Sequence, residues 1–334
     1  MSKAGAELES VDRGAYVHRT ALMGTVITIV VLPAGDAEPR EAQPAVERAV
    51  DWFRQVEATC SRFDADSELS RLCAQERVGE PVEVSVLLLE ATRFALALAE
   101  ETEGAFDPTV GHRMEAEGFN VNYRTGQRRQ SVQAGGDRRP PVHPSTRPPT
   151  YKDLHIDAAN RAITLTRPLL LDLGAVAKGL AVDLAARELS AFANVAIDAG
   201  GDVYVRGGNG ESAWWKIGIR HPRDEGRLVE TLMVTDAAVC TSGDYERRNA
   251  AGRHHLLDPR TGAPAAACAS VTVVAPTAMV ADGLATAAFV LGPRDGLSLI
   301  EANGAEGLIV TPALERVETP GMRGMKAEAG TTTR

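Results

Sequence analysis

Four cysteines are present, and none stands in a Cys-x-x-Cys pair, which excludes a zinc knuckle and a dithiol redox motif. Cys60, Cys73, Cys240 and Cys268 read instead as small buried core residues. A basic excess is also missing. The formal charge is −9, which favours solubility and argues against a general nucleic-acid binder. Apolar runs such as residues 29–32 and 287–291 fall far short of the roughly 20 residues a membrane helix needs. Residues 1–20 are polar and mixed in charge, with no apolar signal segment and no small-residue cleavage site. The expectation is therefore a cytoplasmic protein with a flexible N-terminus over 1–20 and no membrane anchor.

What is present is ample core material: 44% of the 334 residues are apolar, enough for one large domain or two lobes. Residues 22–32 are rich in β-branched side chains and predict a buried strand ended by Pro33 and Gly35. Val46, Val50, Phe53, Val56 and Cys60 recur at spacings of three and four, which places them on one face of a helix over 44–60. A second helix is expected over 86–103, capped by Ser85 and ended by Gly104. Residues 118–150 are dense in Arg, Pro, Gly, Gln and Ser, too polar to offset the entropy of ordering, and predict a flexible surface loop. Helices are then expected over 175–192, 279–291 and 294–301. Strands are expected over 162–166, 195–197, 202–206, 214–220, 228–237, 270–275 and 307–311. Runs of consecutive strands between helices favour a mixed α+β fold over a regular parallel sheet. The tail over 326–334 is expected to be disordered.

Several segments carry residues suited to chemistry. Asp107 sits between Gly104 and Pro108, either as a turn-forming carboxylate or as one held for a ligand. In DLGAVAKG, a strand end enters a helix through small residues, with Lys178 in its first turn. Free N–H groups and a cation there suit a phosphate, although close helix-on-sheet packing explains the small residues equally well. The segment is neither a G-x-G-x-x-G fingerprint nor a Walker A loop. DAGGD reads as a Gly-Gly hairpin or a close backbone approach, and residues 241–245 as a turn displaying hydroxyls. His254 and His255 precede an Asp-Pro turn. As chain neighbours they would point opposite ways, one inward and one to solvent. Asp282 and Thr286 are four apart on an otherwise small and apolar helix, hence on one face. They are either hard oxygen ligands for Mg2+ or a buried pair satisfied within the protein.

In this order, LMGT, SRFDADSEL, TEGAFDPTVG, LDLGAVAKGLAVD, DAGGD, TSGDYER, HLLDPRTG and VADGLATA resemble the ApbE family of FAD:protein FMN transferases. The resemblance covers roughly residues 22–292. It implies an α+β fold of mixed, largely antiparallel sheets with flanking helices, forming two closely associated lobes around an FAD cleft. A single domain over 21–325 follows from it. It further implies transfer of FMN from FAD to a Ser or Thr hydroxyl of an acceptor protein, with release of AMP. Met23, Phe63, Ala105, Phe106, Asp107, Asp172, Lys178 and Leu257 would line the FAD site. The backbone carbonyl of Ala175 would join Asp282 and Thr286 on Mg2+, and His255 would assist proton removal while His254 stands aside. Two departures are expected: a cytoplasmic acceptor, and residues 118–150 in place of a helical segment after Gly111. An FAD pyrophosphatase using water, or a flavin-binding protein without turnover, are the alternatives.

Overall fold

The computed structural model describes residues 6–8, 14–33, 42–75, 78–120 and 147–327. The chain begins with strands β1 (Ala6–Leu8), β2 (Tyr16–Leu22) and β3 (Thr25–Leu32), followed by helices α1 (Gln43–Cys60) and α2 (Glu68–Cys73). Next come β4 (Pro81–Glu83), α3 (Val86–Glu101), the short α4 (Gly111–Ala116), β5 (Leu154–Asp157), β6 (Ala162–Leu165) and α5 (Gly174–Glu188). Five strands then run nearly in succession: β7 (Asn194–Ala199), β8 (Val203–Arg206), β9 (Trp215–His221), β10 (Asp224–Val234) and β11 (Ala237–Gly243). The chain closes through β12 (Ser270–Ala275), α6 (Ala278–Leu291), α7 (Pro293–Ala302), β13 (Glu306–Val310), β14 (Arg316–Glu318) and α8 (Pro320–Gly324).

An eight-stranded sheet in the order β14-β13-β12-β11-β8-β7-β3-β2 forms the centre, with every neighbouring pair antiparallel. Its central strands are apolar on both faces because both faces are covered there. Ile27, Ile29 and Val31 of β3 pack into the core shared with α1, α3, α5 and α6, whereas Val30 and Leu32 pack into a second core on the other side. That second core is completed by Trp215, Ile217 and Ile219 of the three-stranded sheet β1-β9-β10. A further small sheet, β4-β6-β5, adds Ile163 and Leu165 to the helix-side core.

The helix periodicity reads through directly: Val46, Val50, Phe53, Val56 and Cys60 are the buried face of α1 together with two alanines. Ser85 Oγ accepts from the Leu88 N–H at 3.2 Å and caps α3, and Gly104 adopts φ +84° just past its end. All four cysteines are free and buried.

Several expectations are corrected. The N-terminal stretch holds strand β2, paired with β3 across a turn in which Met23 and Gly24 have φ of 51° and 74°. Its alternation of exposed and half-buried residues hides in a polar composition that includes His18 and Arg19. Thr241 and Ser242 lie inside β11, not in a turn, because AAVCTSG is a run of small residues without alternation that pairs with β8 and β12 on either side. A helix does follow Gly111, since α4 spans Gly111–Ala116 and ends before Gly118 at φ +88°. Of the loop expected over 118–150, residues 121–146 lie outside the described residues, and Arg147 is tied to both carboxylate oxygens of Asp153. At the C-terminal end, Lys326 reaches Glu318 and Glu230, while residues 328–334 lie outside the described residues. Among the described residues, no helix is long and apolar enough to cross a membrane.

Candidate active site

Helices α5 and α6 meet at a glycine. A Cβ on Gly179 would sit 2.5 Å from Ala278 O, Met279 Cα and Met279 N, so only glycine lets the backbones approach this closely. One turn further along α5, Asp183 accepts hydrogen bonds from the Ala278 N–H at 2.7 Å and the Met279 N–H at 3.0 Å. These are the first N–H groups of α6, which a carboxylate both satisfies and stabilises. Burial nevertheless pushes the Asp183 carboxyl up to about 6, against those two hydrogen bonds. Docked in this way, Ala175 and Lys178 of α5 and Asp282 and Thr286 of α6 share one cleft.

The cleft encloses about 1120 Å³, open solvent at its mouth included. Phe63, Ala105, Phe106, Asp107, Asp172, Ala175, Lys178, His255, Leu257, Asp282 and Thr286 all line it. Met23 is not among the lining residues; it occupies the β2–β3 turn, where its N–H donates to Glu57. The hairpin turn at Gly200 packs on the neighbouring Thr25, whose Oγ1 leaves no room for a Cβ. DAGGD is therefore a hairpin with a tightly held tip, and the acid that follows it, Asp202, is buried.

Lys178 ties the site together. Its ammonium group pairs with Asp202 and lies 3.4 Å from Asp282 Oδ2. Thr286 Oγ1 shares a hydrogen bond of 3.1 Å with Ser242 Oγ of β11. Within the protein, Asp282 therefore meets Lys178 and Thr286 meets Ser242, each on another element. Asp172 accepts from the Gly174 N–H at 2.8 Å and from Arg62 Nε at 2.7 Å. Burial works against its charge, yet Arg62 and that N–H hold the carboxyl below the usual carboxylate range. Arg62 also donates to Phe119 O and lies over the Phe63 ring at 4.1 Å. Asp107 serves its own turn: it accepts from the Thr109 N–H and O–H and from the Tyr151 N–H. Burial raises its carboxyl all the same.

Also on the cleft wall, the backbone N–H of His255 donates to Arg247 O, and the imidazole meets Phe119 edge-on with centroids 6.3 Å apart. Burial, reinforced by Arg247, pushes its pKa down to about 3, so the ring is neutral at pH 7. His254 does not project into solvent as expected; it packs edge-on against Phe289 at 5.8 Å. The chain bends at His255, so the strict alternation of a strand does not apply there. Only His255 of the two lines the cleft.

Sequence reasoning assigned no role to Arg62, Glu246 and Arg247 and read Ser242 only as part of a turn displaying hydroxyls; all four line the cleft. Arg62 and Glu246 stand in polar segments that look solvent-facing, and their enclosure has no local signature. The assembled cleft offers cations, oxygen donors and an apolar wall of Phe63, Phe106, Met114, Phe119 and Leu257.

Fold and cleft together define an α+β protein whose cleft sets charged side chains beside an apolar wall. The ApbE family model matches residues 23–309, and the chain belongs to the ApbE family. It is 31% identical to the FAD:protein FMN transferase of Haemophilus influenzae, covering 84% of this chain and 82% of that protein. The FAD:protein FMN transferase of Vibrio cholerae is also 31% identical, over 86% and 85% of the two chains. Among solved structures, the ApbE protein of Thermotoga maritima superimposes with a TM-score of 0.77 at 31% identity, covering 94% of this chain and all of that one. The V. cholerae flavin transferase ApbE gives 0.75 at 28% identity, over 93% and 99%.

Proposed function

We propose that this chain transfers FMN from FAD to a serine or threonine hydroxyl of an acceptor protein, releases AMP, and requires Mg2+ to do so. The observation that carries this reading is the meeting of α5 and α6, which brings Ala175, Lys178, Asp282 and Thr286 to one cleft. A flavin dinucleotide joins an apolar ring system to a pyrophosphate, and this cleft offers aromatic side chains beside oxygen donors and cations. The chain's relatives in H. influenzae and V. cholerae, both FAD:protein FMN transferases, support the same substrate pair.

Mg2+ fits the donor set. Asp282, Thr286 and the carbonyl of Ala175 are hard oxygen donors, and one protein carboxylate suffices when substrate phosphates complete the shell. Among the described residues, no group of three or more His, Cys, Asp or Glu gathers that could hold a metal. These three residues would hold the ion, which when bound neutralises pyrophosphate charge and makes the phosphorus more electrophilic.

The remaining residues position and neutralise. Lys178, braced by Asp202, keeps a positive charge at the anionic end of the substrate. Phe63, stacked under Arg62, and Leu257 receive the apolar end. The acceptor oxygen bonds to the flavin-side phosphorus, the bond from that phosphorus to the bridging oxygen breaks, and AMP departs with that oxygen. The hydroxyl proton passes to neutral His255 and then to solvent. Negative charge brought by the pyrophosphate raises the basicity of the imidazole at that moment.

The test is incubation with FAD, Mg2+ and peptides that each carry one Ser or Thr, followed by mass spectrometry for an added FMN and chromatography for AMP. A peptide adduct with stoichiometric AMP is expected. Free FMN with AMP and no adduct would mean that water is the acceptor, and FAD bound without AMP release would refute turnover altogether.

A further inference from the structure

Four acidic side chains line the cleft, and three are already satisfied or paired. Asp107 holds its own turn and Tyr151, Asp172 holds Gly174 and Arg62, and Asp282 faces Lys178. Glu246 is different: its Oε1 is enclosed and has no hydrogen-bond partner among the described residues. Proteins rarely leave a buried acceptor of this strength unmet, because water has been removed and nothing has replaced it.

The position is built rather than incidental. Just before Glu246, the Tyr245 ring covers Gly243, where a Cβ would meet Tyr245 Cε1 at 2.4 Å. Asp244 is gripped by both terminal nitrogens of Arg223, at 2.6 and 2.7 Å. The chain leaving β11 is thereby fixed, and Glu246 is presented to the cleft by a braced segment. Burial pushes its carboxyl up to about 7, and Asp282 adds to that, while Lys178, Arg247 and Arg220 oppose it without supplying a hydrogen bond to Oε1.

We propose that Glu246 binds a substrate hydroxyl through Oε1. This rests on the transferase reading for the identity of the substrates. A pyrophosphate is anionic and repels a carboxylate, so the group that completes Oε1 is a neutral donor beside it. In FAD, the ribityl and ribose hydroxyls flank the pyrophosphate, and in the acceptor the reacting group is itself a hydroxyl. Both sources offer the same chemistry.

Glu246→Gln, which keeps the shape, and Glu246→Ala, which removes the acceptor, separate them in the full chain. Circular dichroism melts first confirm that both variants fold. FAD affinity is read by quenching of flavin fluorescence at several Mg2+ concentrations, and transfer by mass spectrometry with the peptide library carrying one Ser or Thr each. If the hydroxyl belongs to the nucleotide, FAD affinity falls at least tenfold in Glu246→Ala and less in Glu246→Gln. If it belongs to the acceptor, FAD affinity stays within twofold while transfer falls at least tenfold and cleavage of FAD by water persists. Affinity and transfer both within twofold of the unmodified protein would overturn the proposal. So would a loss fully restored by raising Mg2+, since Oε1 would then serve the cation. Should the unmodified protein move no FMN to any peptide, the transferase reading fails and the FAD-affinity arm alone decides the role of Glu246.

Discussion

Replacing Gly179 with alanine tests how the site is assembled. Alanine favours a helix over glycine by about 1 kcal/mol, so on propensity alone Gly179→Ala would stabilise the protein. The added Cβ, however, would lie 2.5 Å from three backbone atoms of Ala278 and Met279. Ordinary contacts begin near 3.4 Å, so α5 and α6 must part by about 1 Å. Backbone cannot swing aside as a flexible side chain can, and overpacking of this kind costs about 1–3 kcal/mol. The hydrogen bonds from Ala278 and Met279 to Asp183, now 2.7 and 3.0 Å, stretch at the same time, losing about 1 kcal/mol more. Steric cost wins, with a net loss of about 2 kcal/mol and a melting point lower by several degrees. Function suffers more, because the Ala175 end of α5 moves away from Asp282 and Thr286. A misplacement of about 1 Å costs on the order of 100-fold in rate. The assay is FMN transfer across a Mg2+ series beside thermal melts. A Gly179→Ala protein that is more stable and equally active at every Mg2+ concentration would refute the reasoning.

Asp282→Ala is expected to abolish Mg2+-dependent transfer while melting within a few degrees of the parent; transfer with an unaltered Mg2+ dependence would remove Asp282 from the ligand set. His255→Ala should lower the single-turnover rate by roughly 10²–10⁴-fold with FAD affinity nearly unchanged, and the reverse pattern would assign His255 to binding. His255 also sets a pH dependence: its folded pKa is lowered from 6.5 to about 3, so the unfolded chain takes the proton first as pH falls. Its stabilising contribution is present above pH 6.5 and drains between pH 6.5 and 3, by an amount on the order of several kcal/mol. Melts of His255→Asn should decline less steeply than the parent across that window, and identical slopes would contradict the burial argument. Lys178→Met leaves Asp202 buried without its ion pair and should cost about 3 kcal/mol. Adding Asp202→Leu should recover the stability but not the transfer, as measured by denaturant melts and adduct formation. Recovered transfer in the double variant would show that the Lys178 charge is dispensable.

Much of the architecture was legible wherever a single element buries one face. The α1 stripe and the Ser85 cap were readable because helical spacing and capping chemistry act within a few residues. Strands β2 and β11 were not, the first because it is polar and half-exposed, the second because its small residues carry no alternation. Most of the expected cleft residues converge on one cleft. Met23 does not line it, and His254 packs on Phe289 where solvent was expected. Arg62 and Glu246 escaped notice because a charge in a polar turn is ordinarily solvated. Only the segments folded over them reveal that they are enclosed.

By itself the sequence determined that Asp282 and Thr286 share a helix face and that Lys178 opens another helix, since relations within one element follow from helical geometry. It also supplied the ordered motifs that carry the family resemblance. It left open whether Asp282 and Thr286 were satisfied by local partners or turned towards a cleft. The tertiary structure decided that through contacts between distant residues: Asp183 reaches Ala278 and Met279 across 95 and 96 residues, and Gly179 sets how near the helices come. Local spacing fixes what each helix presents, whereas the distance between helices depends on side-chain volumes and hydrogen bonds that no local pattern encodes.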